Sequence, residues 1–515
     1  MASRVFYLEC DSPFWVRVAQ IMAAKHHWQP VYWAAWSKME RAVGEAFPEI
    51  VFHDSLDAAR GICPKQGLEI PQTQLEPDLL DKLAKHEAIS LKMMDRMDPL
   101  GTTFSYHQRV RLYHRLLAYW LGVLEHFKPD ILVFPVLPHM IYDYIVYILG
   151  KTKKIETVML SRSLIPGRYF VQKSFEDGPD QIIKAYKQAS AENFTQERLS
   201  LTAAALFPAS EEAKKDVLTA HMNHILSFYQ DKPYSWQRFE KKLTKLLHPS
   251  EWLDYIRRSY KFWFDPAPLN YLVKPGQEPD RRQMSGLEWR WVRIKGNRKK
   301  TRLRKYYQRL THKPDLEEPY LFVALHYQPE ANTSPGAGLY VHQDLMVRLL
   351  AKAIPQGWRL YVKEHPAQFA PVRRGDYARH YTWYDDLASI PGVKLVPITY
   401  PPALLIENAR AVATVSGTSG WEALIKGKPV LIFGHAAYEG CEGVFYTPTL
   451  ETCRQAIQKI ADGFQPDSHK IRLFAHITEQ QTFKAFVDER SQHWAGIDDE
   501  ENARNISQAV ADIFS

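Results

Sequence analysis

At 515 residues the chain exceeds one ordinary domain; units of about 100 to 200 residues suggest two or three folded parts and exclude a small binding module. Apolar residues make up 45% and charged residues 24%, which excludes a largely disordered or collagen-like protein. The net charge of +8 is local: residues 281–313 hold thirteen Lys or Arg against Glu288, a net +12, and the rest of the chain sums to −4.

Met1 leads into the strand-like VFYLE without a basic region followed by an apolar one, which predicts a chain that is not exported. Cys10, Cys63, Cys441 and Cys453 form no CxxC pair, which predicts neither a disulfide framework nor a structural zinc site, and a reducing cytoplasm as location. A helix over 16–25, the strands PVYWAAW and IVFHDS, a helix over 107–127, the strand ILVFPV, a helix over 142–149 and the strand TVML follow. Strands alternating with helices predict a parallel sheet of Rossmann-like grammar over 1–185. The most apolar window, 131–149, contains His139, Asp143 and two prolines, so no membrane span is predicted.

From 186 to 313 the pattern turns helical and rich in aromatics and charges, as in EEAKKDVLTAHMNHILSFY, which predicts an inserted or linking helical region. Its basic end, with Trp289, Trp291, Tyr306 and Tyr307 interleaved, suits an anionic membrane surface, an acidic glycan or RNA; a solvated connecting helix fits it equally. A second α/β unit over 314–515 opens with YLFVALHY and continues through a helix over 342–353, RLYVKEHP, VKLVP, a helix over 402–408, AVATVS, a helix from Trp421 and PVLIFG. The expected fold class is α/β, two Rossmann-like domains facing a cleft with a helical insertion between them.

Three constellations carry chemistry. Ser416-Gly417-Thr418-Ser419-Gly420 links a strand to a helix; small residues admit a ligand close to the backbone, and hydroxyls with helix-terminal N–H groups suit a phosphate. Glu422 in the first turn can complement the helix dipole or reach ribose hydroxyls. In Lys363-Glu364-His365-Pro366 the proline turns the chain out of the strand and leaves His365 at the carboxyl end of the sheet, where it can donate to a phosphate leaving group. After the strand YLFVAL comes Tyr327-Gln328-Pro329-Glu330 with Asn332-Thr333-Ser334-Pro335-Gly336, whose Glu330 can act on an anomeric carbon as nucleophile or charge stabiliser.

Together, His365-Pro366, SGTSG with WEAL and GKPVLIFG, and HYQPEANTSP resemble the bacterial GT-B glycosyltransferases that transfer Kdo or nonulosonic acids from CMP-linked donors in capsule and lipopolysaccharide synthesis. The resemblance is specific over about 320–445 and one of pattern in the N-terminal part. It implies a donor held by the C-terminal domain, with His365, Pro366, Ser416, Gly417, Thr418 and Ser419 at the CMP phosphate and Glu422 at the nucleoside. It implies Glu330 as nucleophile, with net retention, and a glycan or glycolipid acceptor on the N-terminal domain.

Candidates for a base toward an acceptor hydroxyl are Asp11, His53 with Asp54, and His139 with Asp143, the last two at i,i+4 of a nascent helix. A base there acting alone would invert the anomeric centre. No cofactor is expected beyond the CMP-sugar co-substrate, and no DxD-type pair stands out to hold a metal. The expected location is cytoplasmic, peripheral to the inner membrane through 281–313, with no nucleic acid as partner. Other readings of the same residues are a CDP-alditol phosphotransferase, a sugar-nucleotide epimerase and a non-catalytic protein that binds an anionic polymer.

Overall fold

A computed structural model describes residues 2–64, 70, 73–189, 199–204, 206–207, 284–371, 373–489 and 491–514. Two doubly wound units hold the described strands. In the first, β1 (Ser3–Leu8), β2 (Trp28–Ala35), β3 (Val51–Asp54), β4 (Ile131–Phe134) and β5 (Glu156–Arg162) are parallel, and β6 (Arg168–Gln172) turns back antiparallel. In the second, β7 (Tyr320–Ala324), β8 (Arg359–Lys363), β9 (Val393–Val396), β10 (Ala411–Thr414), β11 (Val430–Ile432) and β12 (Val444–Tyr446) are all parallel. The short β13 (Phe483–Lys484) returns to pair with β6, so the sheet orders are β13-β6-β5-β4-β1-β2-β3 and β12-β11-β10-β7-β8-β9.

Each order reverses beside its own first strand, between β1 and β4 and between β7 and β10. Ligands of open α/β sheets bind at such switch points, outside the carboxyl ends of the strands. The strands there are continuous apolar runs because both faces are covered. Phe6, Leu8 and Leu132 face one core while Val5, Tyr7 and Val133 face another; Leu321 and Val323 are likewise separated from Tyr320 and Phe322 in the second sheet.

The carboxyl edges of the two units meet at Arg96, whose guanidinium donates to the main-chain oxygens of His139 in the first unit and Ser334 in the second. Arg374 donates to the oxygen of Arg96 at 2.6 Å and Tyr377 to that of Pro99 at 2.6 Å. This is the GT-B-like arrangement expected from the sequence.

Two segments pack elsewhere than the division at 186 and 314 puts them. Helix Gly286–Leu310, closed at its start by a Ser285/Glu288 capping box, buries Trp289, Val292, Gly296, Lys300, Leu303 and Tyr307. That three-and-four spacing is one helix face, and Leu303 and Tyr307 enter the core of the second sheet. Lys300 lies within the stripe because its ammonium donates to the oxygens of Ala370, Pro371 and Arg373 at 2.7, 3.3 and 2.5 Å. The basic segment is therefore a layer of the second unit with a charged outer face, not a linker in water.

The other segment is helix Asp499–Asp512, whose Ala503, Ile506 and Val510 complete the core of the first sheet. Arg17 pairs with its Glu500 at 2.8 Å. Of the expected insertion, EEAKKDVLTAHMNHILSFY and the rest of 208–283 lie outside the described residues, as do 281–283 of the basic patch.

Candidate active site

The loop after β7 is built around His326, a buried residue that the sequence reading passed over as part of the strand. Its main-chain N–H donates to Gln343 Oε1 at 2.7 Å. Its ring Nε2 accepts from the Ser416 N–H at 3.2 Å and lies 3.1 Å from Thr414 Oγ1. With Nε2 accepting, the ring proton sits on Nδ1, 3.5 Å from Glu330 Oε1. One imidazole thus stands between Glu330, four residues on, and the loop after β10. Glu330 keeps 32% of its side chain exposed.

The Ser416 loop differs in one respect from the expected phosphate cradle. Two of its N–H groups are already used, that of Ser416 by His326 and that of Gly417 by Thr414 Oγ1 at 3.3 Å. The helix begins at Thr418, not Trp421, and runs only to Leu424. The hydroxyls of Ser416, Thr418 and Ser419 make no hydrogen bond with a described residue and reach solvent in part or fully. Gly417 is required by its surroundings: a Cβ there would lie 2.9 Å from Thr414 Oγ1 and 3.2 Å from His326 Nε2. Burial raises the carboxyl of Glu422 to about 7, with Lys426 opposing.

His365 caps the short 3₁₀ turn Pro366–Phe369, its Nδ1 accepting from Ala367 N–H at 3.1 Å, which leaves the ring proton on Nε2. The turn is held from beneath. Gln368 accepts from Gln328 N–H at 2.9 Å and donates back to Gln328 O at 3.1 Å. Arg379 joins Gln328 Oε1 at 2.6 Å and Glu364 Oε2 at 2.7 Å. Tyr384 and the His365 N–H, at 2.8 and 2.9 Å, complete the partners of Glu364. The pair Arg379–Glu364 is buried and fully hydrogen-bonded, which is the condition under which such a pair holds geometry. Glu330, His365 and Ser416 thus stand on three loops of one sheet edge that share a common polar frame.

Across the cleft the candidates divide. His53 is a core residue: Nδ1 lies 2.6 Å from Tyr32 Oη and Nε2 2.8 Å from Ile62 O, and burial lowers its pKa to about 4. Asp54 caps helix Ser55–Ala58 by accepting from Leu56 N–H at 2.9 Å. The pairing of His139 with Asp143 is not found. Asp143 takes the N–H groups of His139, Met140 and Tyr144 at 2.8, 2.7 and 2.6 Å, while His139 Nδ1 donates to Leu137 O at 2.9 Å. His139 precedes helix Tyr142–Thr152, so no shared helix face exists.

Asp11 accepts from Trp36 N–H at 2.7 Å and bonds to Glu9. Glu9, hidden in VFYLE, is the further residue that the sequence reading missed. It leaves β1 at φ +61° and takes the Tyr142 hydroxyl. Burial, then Asp11 and Asp143, raises its carboxyl well above the usual range, and burial raises Asp11 as well. Two carboxyls whose pKa values burial raises thus stand together at the switch point of the first sheet.

Residues 332–479 match the family model for capsule polysaccharide biosynthesis proteins, under a third of the chain. No curated protein matches the sequence. Among solved structures, the chain is similar at 17% identity and a TM-score of 0.22 to KpsC, beta Kdo 2,4 transferase, of Thermosulfurimonas dismutans. That match covers 36% of this chain and 54% of the other, so this chain spans about half of that relative's length. It is similar at 13% identity and a TM-score of 0.25 to the UDP-GlcNAc 2-epimerase of Methanocaldococcus jannaschii, over 93% of this chain and 99% of that one. The span 332–479 that matches the capsule family contains His365 and the Ser416 loop and begins two residues after Glu330.

Proposed function

We propose that this protein is a glycosyltransferase of capsule polysaccharide synthesis that moves Kdo or a related 3-deoxy-ulosonic acid from a CMP-linked donor to a glycan or glycolipid, with retention. The observation that carries the reading is His326 standing between Glu330, 3.5 Å from its Nδ1, and the Ser416 loop, whose N–H it accepts. A carboxylate beside a loop of hydroxyls that can hold a phosphate suits displacement at an anomeric carbon. The capsule family match over His365 and the Ser416 loop supports it.

In this reading the Glu330 carboxylate attacks the anomeric carbon and the C–O bond electrons pass to the CMP phosphate. His365 Nε2–H and the hydroxyls of Ser416, Thr418 and Ser419 receive that charge, and Glu422 takes the ribose. The acceptor hydroxyl then displaces Glu330 from the opposite side and gives its proton to the Glu9–Asp11 pair. Two inversions give retention. The basic outer face of helix Gly286–Leu310 holds the enzyme at an anionic membrane, where a glycolipid acceptor would reside.

The test offers CMP-Kdo, CMP-nonulosonates and UDP- and CDP-linked sugars, and reads donor hydrolysis together with the intact protein mass. Hydrolysis of a CMP-ulosonate with an adduct that Glu330→Gln abolishes is the expected result. His365→Ala should retain the fold and lose about 10² to 10⁴ in rate. A product of inverted configuration would remove Glu330 as nucleophile and leave the base in the first unit as the reacting group. Preference for a UDP-sugar would favour the epimerase reading.

A further inference from the structure

β8 ends on Lys363, whose side chain is only 5% exposed. Lys363 pairs in register with Ala324 of β7. Ala413 pairs with Val323, so Thr414 of β10 flanks Ala324 on its other side. Lys363 and Thr414 therefore share one face of the sheet, two strand spacings or about 10 Å apart, with Ala324 on the strand between them and the His326 ring 3.1 Å from Thr414 Oγ1. That gap lies at the carboxyl edge where the Ser416 loop leaves β10.

No described residue accepts a hydrogen bond or ion pair from the Lys363 ammonium. Two buried cations of this unit are satisfied, Lys300 by main-chain oxygens and Arg379 by Glu364 and Gln328. Glu364, next in sequence, projects to the opposite face, where Arg379, Tyr384 and the His365 N–H occupy its oxygens. A lysine that is 5% exposed and whose ammonium meets no acceptor among the described residues is suited to an anion that reaches it from the carboxyl edge.

We propose that Lys363 binds the donor's phosphate from beneath, over Ala324 and opposite Ser416, and holds the second negative charge that the phosphate gains when the sugar bond breaks. This rests on the donor site proposed above and adds to it a fixed cation on the sheet floor. The bond electrons arrive on the phosphate oxygen and no proton leaves the lysine. The titratable groups on the flanking elements are His326 and Glu330 after β7, Glu364 and His365 after β8, and Glu422 beyond β10. Burial lowers the lysine's pKa to about 8, with Glu364 opposing. A bound phosphate dianion raises it again, so binding near pH 8.5 must draw in a proton.

The experiment titrates the full chain with CMP at pH 8.5 in two buffers of different ionisation enthalpy, and repeats it with cytidine and with UMP, GMP and AMP. Wild type is expected to take up a substantial fraction of a proton with CMP and none with cytidine. Lys363→Met, with circular dichroism unchanged, is expected to bind CMP about tenfold or more weakly and to take up none. Lys363→Arg is expected to keep affinity within a few-fold yet lose the uptake, which separates charge from packing. Uptake that persists in Lys363→Met, or unchanged affinity, overturns the assignment. If UMP replaces CMP as the preferred ligand and its uptake still depends on Lys363, the lysine's role stands and the CMP reading falls. Failure of every nucleotide to bind overturns both.

Discussion

Glu422 is a group whose protonation the fold itself controls. Its carboxyl is raised to about 7 by burial, against about 4.3 for an unfolded Glu, so the folded state favours the neutral acid. That contribution to stability is complete below the unfolded pKa and is lost as the pH rises through 7. Glu422→Gln, which mimics the neutral form, should gain on wild type by roughly 2 to 3 kcal/mol between pH 4.5 and 8. Denaturant titrations at both pH values measure this, and parallel shifts would contradict it. His326 and Glu9 belong to the same scale and explain why residue types alone were insufficient. In YLFVALHY a histidine reads as one more strand residue, and only the i,i+4 spacing to Glu330 hinted at a pair. Glu9 reads as the polar end of VFYLE, and its left-handed turn toward Tyr142 has no signature in sequence.

At the scale of elements, the long apolar runs gave the clearest signals. ILVFPV, AVATVS and PVLIFG become β4, β10 and β11, since a strand covered on both faces has no other way to be written. β6 was missed because Arg168–Gln172 is a short RYFVQ that owes its place to pairing with β5 and β13. Helix Gly286–Leu310 was partly legible. Its charge hid a buried stripe that becomes visible only when the small Gly296 and the carbonyl-bound Lys300 count as inward residues. Its outer face carries Arg298, Arg302 and Lys305 with Trp291, which is 55% exposed. Replacing those three basic residues by Gln should weaken binding to phosphatidylserine vesicles by on the order of 10², at about 1 kcal/mol per charge, and leave CMP affinity unchanged. Wild type that fails to co-sediment at low salt would refute a membrane role for this face.

For the molecule as a whole, the two units share a core at Phe170 and Ile182, and their carboxyl edges are joined at Arg96. Arg96 holds the His139 turn and the Ser334 turn at once, so the loop that carries Glu330 is braced by the opposite unit. Arg96→Ala should leave both units folded and joined through Phe170 and Ile182 while loosening the Ser334 turn. The expected outcome is a fall in kcat of about tenfold with circular dichroism unchanged, since misplacement by an ångström costs up to about 10² in rate. Unchanged kcat would show that the contact is incidental. The doubly wound frame was legible from strand and helix alternation, whereas the return of the chain to its first unit was not. Nothing in the composition of helix Asp499–Asp512 names the sheet it covers.

That return has a consequence for how the protein is made. The apolar surface of helix Pro13–His26 is covered by helix Asp499–Asp512, and β6 gains its outer neighbour only with Phe483–Lys484. On the ribosome, the first unit therefore waits, one flank bare, until the more than four hundred residues between its helix Pro13–His26 and helix Asp499–Asp512 have been added. At roughly 5 to 20 residues per second, that is an interval of tens of seconds, during which the second unit can already close. The second unit can therefore complete its core before the first, and a chaperone that shields bare apolar flanks would find its target on helix Pro13–His26.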